Sequence, residues 1–239
     1  MTPGEPMTPI RLLSYNIRSM RDDRAALARV IRRLEPDIVC VQEAPRFAFW
    51  LRKRRWLARR GALGLAVRER PAGLELYAGP RTALLHRHHR LLVPVPGMHR
   101  RGLALGLFEV GRARLVAASV HLDLAKGPRL RHAEEIVTEL ERVRERFRAP
   151  IVVAGDINEE PGGPTWSFLA SRFQDGFVVA PAGQGATYSS TEPLTRIDGV
   201  FADAGIEVLS CGVPDEPELL ADYPDATDHR PVLAELRVR

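Results

Sequence analysis

Asp156 and Asn158 stand one residue apart in the stretch Ile151-Val-Val-Ala-Gly-Asp156-Ile-Asn158-Glu-Glu-Pro-Gly. A carboxylate can orient or deprotonate a water molecule, and an amide can hold a negatively charged oxygen. The small, β-branched residues before them predict a buried strand, which Gly155 ends. Pro161, Gly162 and Gly163 predict the turn that follows. Residues two apart on an extended backbone face the same way. Both side chains are therefore expected to project together from the C-terminal end of a central strand, where α/β sheets keep their sites. The same letters also suit an Asx turn that merely caps a strand, so the rest of the chain has to decide.

Elements that could position such a site recur along the sequence. An apolar strand over 10–16 ends in Ser-Tyr-Asn16. Asp22 or Asp23 caps an expected helix to about residue 34, with Leu27, Val30, Ile31 and Leu34 on one stripe. Pro36 stops it, and a doubly buried strand follows over 37–43, ending in Glu43. Residues 44–60 are expected to be helical, and 61–108 to form short hairpin strands. A strand over 113–121 ends in His121, and the stripe over 128–147 predicts the longest helix, with Pro128 in its first turn. A short helix is expected over 164–170, strands over 196–201 and 206–210, a turn over 227–231 and a closing strand over 232–238. Asn16, Glu43, His121, Asp156 with Asn158, Asp198, and Asp228 with His229 are thus read at the C-terminal ends of expected strands. One such residue is a cap or a turn former; six such places are hard to explain by turn chemistry alone.

The residue types make sense together. Glu43 and Asp228, with the amide oxygen of Asn16, offer hard oxygen ligands that suit magnesium better than zinc. The histidines are then free to act on phosphate as donors or acids. Two cysteines, Cys40 and Cys211, are too few for a disulfide framework or a zinc site.

The set Tyr15-Asn16-Ile17, Val41-Gln42-Glu43, Val120-His121-Leu122-Asp123, Gly155-Asp156-Ile157-Asn158, Arg196-Ile197-Asp198 and Thr227-Asp228-His229-Arg230-Pro231 resembles the endonuclease/exonuclease/phosphatase superfamily. The resemblance spans about residues 10–238. It implies an α/β fold, a four-layer sandwich of two mixed sheets face to face with helices outside. It implies a phosphoric ester hydrolase, a phosphodiesterase or nuclease, that uses magnesium, with manganese as the alternative. Glu43 would be the main metal ligand, helped by Asn16 and Asp228. Asp156 would orient or deprotonate the attacking water, and Asn158 would hold a phosphate oxygen or place that water. His229 would donate to the phosphoryl oxygens, oriented by Asp198. His121 would contact the phosphate or assist the leaving oxygen, with Glu69 or Glu75 as its carboxylate partner. Arg18 replaces an acidic residue found in the abasic-site branch. Arg100 and Arg101 lie where relatives often carry a substrate-facing arginine.

Composition narrows the classes. At 239 residues, with no run approaching a membrane span, the chain is expected to be one domain over 10–239 behind a flexible tail over 1–9. The tail carries no apolar region of a signal peptide, so a cytoplasmic location and a monomer are the expectations. The formal charge is +5, unevenly spread. Lys53, Arg54 and Arg55 head a basic tract that would suit nucleic acid, whereas 202–228 is acidic and lacks Lys and Arg. A non-catalytic nucleic-acid-binding module on the same fold is therefore the alternative reading. His86, His88 and His89 read as surface histidines, with no carboxylate at metal spacing.

Overall fold

The computed structural model describes residues 9–68 and 70–239. Most of the expected tail, residues 1–8, and Glu69 lie outside them.

The apolar run β1 (Ile10–Asn16) leads to α1 (Arg24–Leu34), whose first turn is capped by Asp23 accepting from the Ala25 N–H at 2.7 Å. After β2 (Ile38–Gln42), the helix expected over 44–60 forms only as α2 (Trp50–Arg60); residues 44–49 stay a loop. Next come β3 (Gly64–Val67), β4 (Glu75–Ala78) and a long β5 (Thr82–Leu91). Within the region expected to form short hairpin strands, residues 92–95 join no strand, because Pro94 and Pro96 cannot donate to a ladder. Then follow β6 (Gly102–Val110), β7 (Ala113–His121), α3 (Lys126–Phe147) and β8 (Ile151–Asp156). The chain continues through α4 (Pro164–Ala170), β9 (Gln174–Asp175), α5 (Gly176–Val179), β10 (Asp198–Ala202) and β11 (Ile206–Gly212). A helix the sequence reading lacked, α6 (Pro217–Ala226), precedes β12 (Val232–Val238). Its two prolines obscured it: Pro217 occupies the first turn, where no N–H is needed, and Pro224 lies near its end.

Two six-stranded sheets result, in the orders β11-β12-β1-β2-β4-β3 and β5-β6-β7-β8-β10-β9. Alternation along the strands builds the layers. Leu12 and Cys40 join Val152 and Ala154 in the cluster between the sheets. Leu13, Tyr15, Val39 and Val41 instead meet Leu27, Ile31 and Leu219 of the covering helices. Ile151 and Val153 do the same against Ile136 and Leu140 of α3. This is the expected four-layer α/β sandwich.

The charge pattern is answered locally. Acidic residues of α6 face arginines of α1, with Arg29 to Asp222 at 2.6 Å and Arg33 to Glu218 at 3.4 Å. The histidines of β5 also have neighbours. His88 lies 3.4 Å from Glu139 of α3, and the His86 ring packs on Phe147. Among the described residues, no helix is long and apolar enough to cross a membrane.

Candidate active site

The central strands of both sheets end at one rim. The pairs β1/β2 and β7/β8 are parallel, so Asn16, Glu43, His121 and Asp156 leave their strands there. β10 runs antiparallel to β8, and β12 antiparallel to β1. Asp198 is therefore the first residue of its strand, not the last, and Asp228 and His229 sit just before β12. The sequence reading gave Asp198 the wrong strand end, because a local run carries no direction relative to its neighbours. The sheets are pinned near this rim by Ser119, which accepts from Gln42 Nε2 and donates to the Val41 carbonyl, both at 3.0 Å.

Asn158 reaches the site by another route than expected. The chain leaves extended geometry after Asp156, and Asn158 has a left-handed φ of 55°. Its N–H donates to Asp156 Oδ1 at 3.0 Å, an Asx turn, and its Nδ2 donates to the Leu122 carbonyl at 3.0 Å. Arg129 of α3 braces this turn. Its guanidinium donates to the Asn158 carbonyl and to Glu159, which itself accepts from the N–H groups of Thr165 and Trp166.

Asn16 is the hub. Its Nδ2 donates to Asp156 Oδ2 at 3.0 Å and lies 3.4 Å from both Glu43 Oε1 and His229 Nε2. Its Oδ1 accepts from the Arg18 N–H at 3.1 Å. The amide thus presents its NH2 group, not its oxygen, to the carboxylates. Acting as a metal ligand would require the amide to turn over. Asp228 Oδ2 is met by Arg18 Nε at 3.2 Å.

His229 Nδ1 lies 2.9 Å from Asp198 Oδ2, and Thr187 Oγ1 accepts from the Asp198 N–H. Burial opposes charge on His229, but Asp198, through its charge and hydrogen bond, and then Asp156 and Asp228 outweigh it. The imidazole is pushed up to about 10. His121 goes the other way. Burial first, then the charges of Arg101, His229 and Arg46, hold it well below its ordinary value. The two histidines of one site are thus pushed in opposite directions, an arrangement suited to distinct acid–base roles. Asp156 is raised by burial and by the neighbouring charge of Asp198.

His121 Nε2 lies 3.4 Å from Asp156 Oδ2, so the carboxylate beside it is Asp156. Glu75 cannot serve. It is wholly buried, 3.4 Å from Arg54 Nε, and accepts from the Tyr77 hydroxyl at 2.9 Å. The same pair removes Arg54 from any polyanion surface: it is 0% exposed and its Nε also donates to the Pro45 carbonyl. Lys53 is half-buried and Arg55 exposed.

A cavity of about 1030 Å³ opens over this rim, lined by Glu43, His121, Asp156, Asn158, Asp228 and His229. Residues that the sequence reading missed line it too, among them Arg46, Phe47 and Tyr188, whose ring lies 5.0 Å from that of His229. No local signal marks them: Arg46 and Phe47 fall in a stretch that reads as helix and folds as a loop, and Tyr188 in one with no clear periodicity.

Asp156, Asp198 and His229 hold their ligand atoms within 4.8 Å of one another, a geometry that could hold a metal ion. The charged His229, already bonded to Asp198, is a poor ligand, since a metal needs the neutral ring. The carboxylate oxygens of Glu43 and Asp228, which line the same cavity, fit a hard cation better.

No curated protein matches the chain. Solved structures do, at identities that speak for the fold alone. A conserved protein of unknown function from Enterococcus faecalis V583 is 21% identical, covering 96% of this chain and 100% of that one, with a TM-score of 0.80. A mannosyl-6-phosphatase from Bacteroides thetaiotaomicron VPI-5482 is 15% identical over 95% and 99%, at 0.80. The human Nocturnin catalytic domain with bound sulfate is 17% identical over 97% and 95%, at 0.75. The sequence model of one family spans residues 13–229, from β1 to the histidine that meets Asp198. By that match the chain belongs to the Endonuclease/Exonuclease/phosphatase family.

Proposed function

We propose that the protein hydrolyses phosphate esters with the help of a divalent cation, magnesium or manganese. The observation that carries this reading is the convergence of the 2.9 Å His229–Asp198 pair with Asp156, Asn16 and Glu43 in one cavity. These residues come from five separate places in the chain, and no packing requirement gathers them.

Glu43 and Asp228 would hold the cation, with Asn16 beside Glu43. When bound, the cation supplies Lewis-acid charge stabilisation at the phosphoryl group. The chain's own residues do the rest. Asp156, with its raised pKa, accepts a proton from the attacking water, and Asn158 helps to place that water. His229, held charged by Asp198, donates from Nε2 to the phosphoryl oxygens as negative charge builds. Asp198 fixes the ring by accepting a hydrogen bond from Nδ1–H. His121, which lines the same cavity, would contact the phosphate or donate a hydrogen bond to the leaving oxygen.

The test is turnover of bis-p-nitrophenyl phosphate with magnesium, with EDTA, and in His229→Ala. Hydrolysis that needs the metal and the histidine is the expected result. Metal-independent hydrolysis, or full activity without His229, would overturn the reading.

A further inference from the structure

The cavity brings together two kinds of group: the carboxylates and histidines of Glu43, Asp156, Asp228, His121 and His229, and the guanidinium groups of Arg21, Arg46, Arg70, Arg100 and Arg101. Arg101 is only 8% exposed, and its Nε is buried with no hydrogen-bond partner. It feels Asp123, Asp156 and Glu43, yet none is within ion-pair distance. Arg46 adds a second positive charge close enough to oppose both the Arg101 charge and a proton on His121. Arg46 is also held in place. Its main-chain oxygen accepts from Arg70 Nε at 2.7 Å, and its stem passes Gly73, where a Cβ would come within 3.3 Å of Cδ. Arg101 is thus a largely buried charge that makes no ion pair, and the second positive charge of Arg46 adds to the cost of keeping it there. An anionic ligand removes it.

We propose that Arg46 and Arg101, with Arg70 and Arg100 at the lip, form a second, anion-binding subsite. The substrate is then a small phosphate ester that carries a second phosphoryl group besides the one cleaved. This rests on the hydrolase reading for the scissile end and adds the class of molecule it acts on. The cavity volume, about 1030 Å³, is large enough to take a small molecule with two phosphoryl groups. The carboxylates with their cation take the scissile phosphate, and the arginines take the other.

Two arms test it. The first needs no turnover: melting temperature and calorimetric titration with pyrophosphate and with inorganic phosphate, on the wild type, Arg46→Gln and Arg101→Gln. Pyrophosphate is expected to bind and stabilise the wild type, and to bind each variant at least about tenfold more weakly. Without ligand, Arg101→Gln should melt no lower than the wild type, because the charge it deletes is buried and unpaired. The second arm compares kcat/KM for a hexose 6-phosphate and the matching 1,6-bisphosphate. The wild type should favour the bisphosphate by about tenfold or more. That ratio should collapse in both variants and persist in Arg112→Gln, on the remote β6–β7 turn. Equal pyrophosphate affinity in all three proteins, or a ratio that the variants leave unchanged, would overturn the subsite. So would an oligonucleotide turned over in preference to every bisphosphate. If nothing is hydrolysed while pyrophosphate still binds through Arg46 and Arg101, the hydrolase reading fails and the subsite stands.

Discussion

Asp198, the first residue of β10, lies directly opposite Asp156, the last residue of β8, in an antiparallel register. Two carboxylates on neighbouring strands would repel each other in a buried site. His229 resolves this: its Nδ1 sits 2.9 Å from Asp198 Oδ2, and its Nε2 is 3.8 Å from Asp156 Oδ2. One carboxylate serves the imidazole and the other is left for water.

The site should therefore fail as a unit. His229→Ala and Asp156→Asn are each expected to lower kcat by on the order of a hundredfold or more. The double variant should be far less than multiplicatively worse. Asp198→Asn should cost less than His229→Ala, since it misorients the ring without deleting it. Steady-state kinetics of the four proteins decide this, and strict multiplicativity would mean separate roles.

The pH dependence follows from His229. Its folded value is raised, so the native state binds more protons between the ordinary unfolded value of about 6.5 and about 10. This contribution to stability is complete below about 6.5 and is lost as pH rises through about 10. Activity that needs the charged ring should fall over the same alkaline limb. In Asp198→Asn that limb should move to lower pH by about one unit or more, because the main raising charge is gone. Rate profiles and urea melts between pH 6 and 10 measure both; an unmoved limb would assign it to another group.

Glu43→Gln keeps the shape of the side chain and removes the charge that would attract a cation. Weaker manganese binding by paramagnetic resonance titration, an unchanged melting temperature and lost activity are expected. Wild-type turnover in limiting magnesium would show that Glu43 is not a ligand.

The buried Arg54–Glu75 pair makes a stability prediction. Arg54→Met alone leaves the Glu75 carboxyl buried without that guanidinium, and Glu75→Leu alone takes from Arg54 the carboxylate at 3.4 Å; each should cost about 3–5 kcal/mol. The double variant should be markedly more stable than the sum implies, which chemical denaturation of the cycle would show. Additive losses would mean that the two charges do not depend on each other.

What the sequence determined was local. Apolar runs and a capping aspartate are properties of a few adjacent residues, and β1, β8 and α1 formed where those letters stood. The strand-end polar residues were legible for the same reason, since each interrupts an apolar run. The tertiary structure decided what depends on pairing. Asp198 enters its strand at the site because β10 runs antiparallel to β8, a direction set by the neighbouring strand. Asn158 turns inward through an Asx hydrogen bond rather than along an extended strand. Arg54, placed among exposed basic residues by sequence, is buried because Glu75, 21 positions away, pairs with its guanidinium. Arg46 and Arg101 meet over one cavity because two irregular loops are carried there by different sheets. Sequence periodicity reports which face of an element is apolar; which distant charges must share a space is fixed only when the sheets pack.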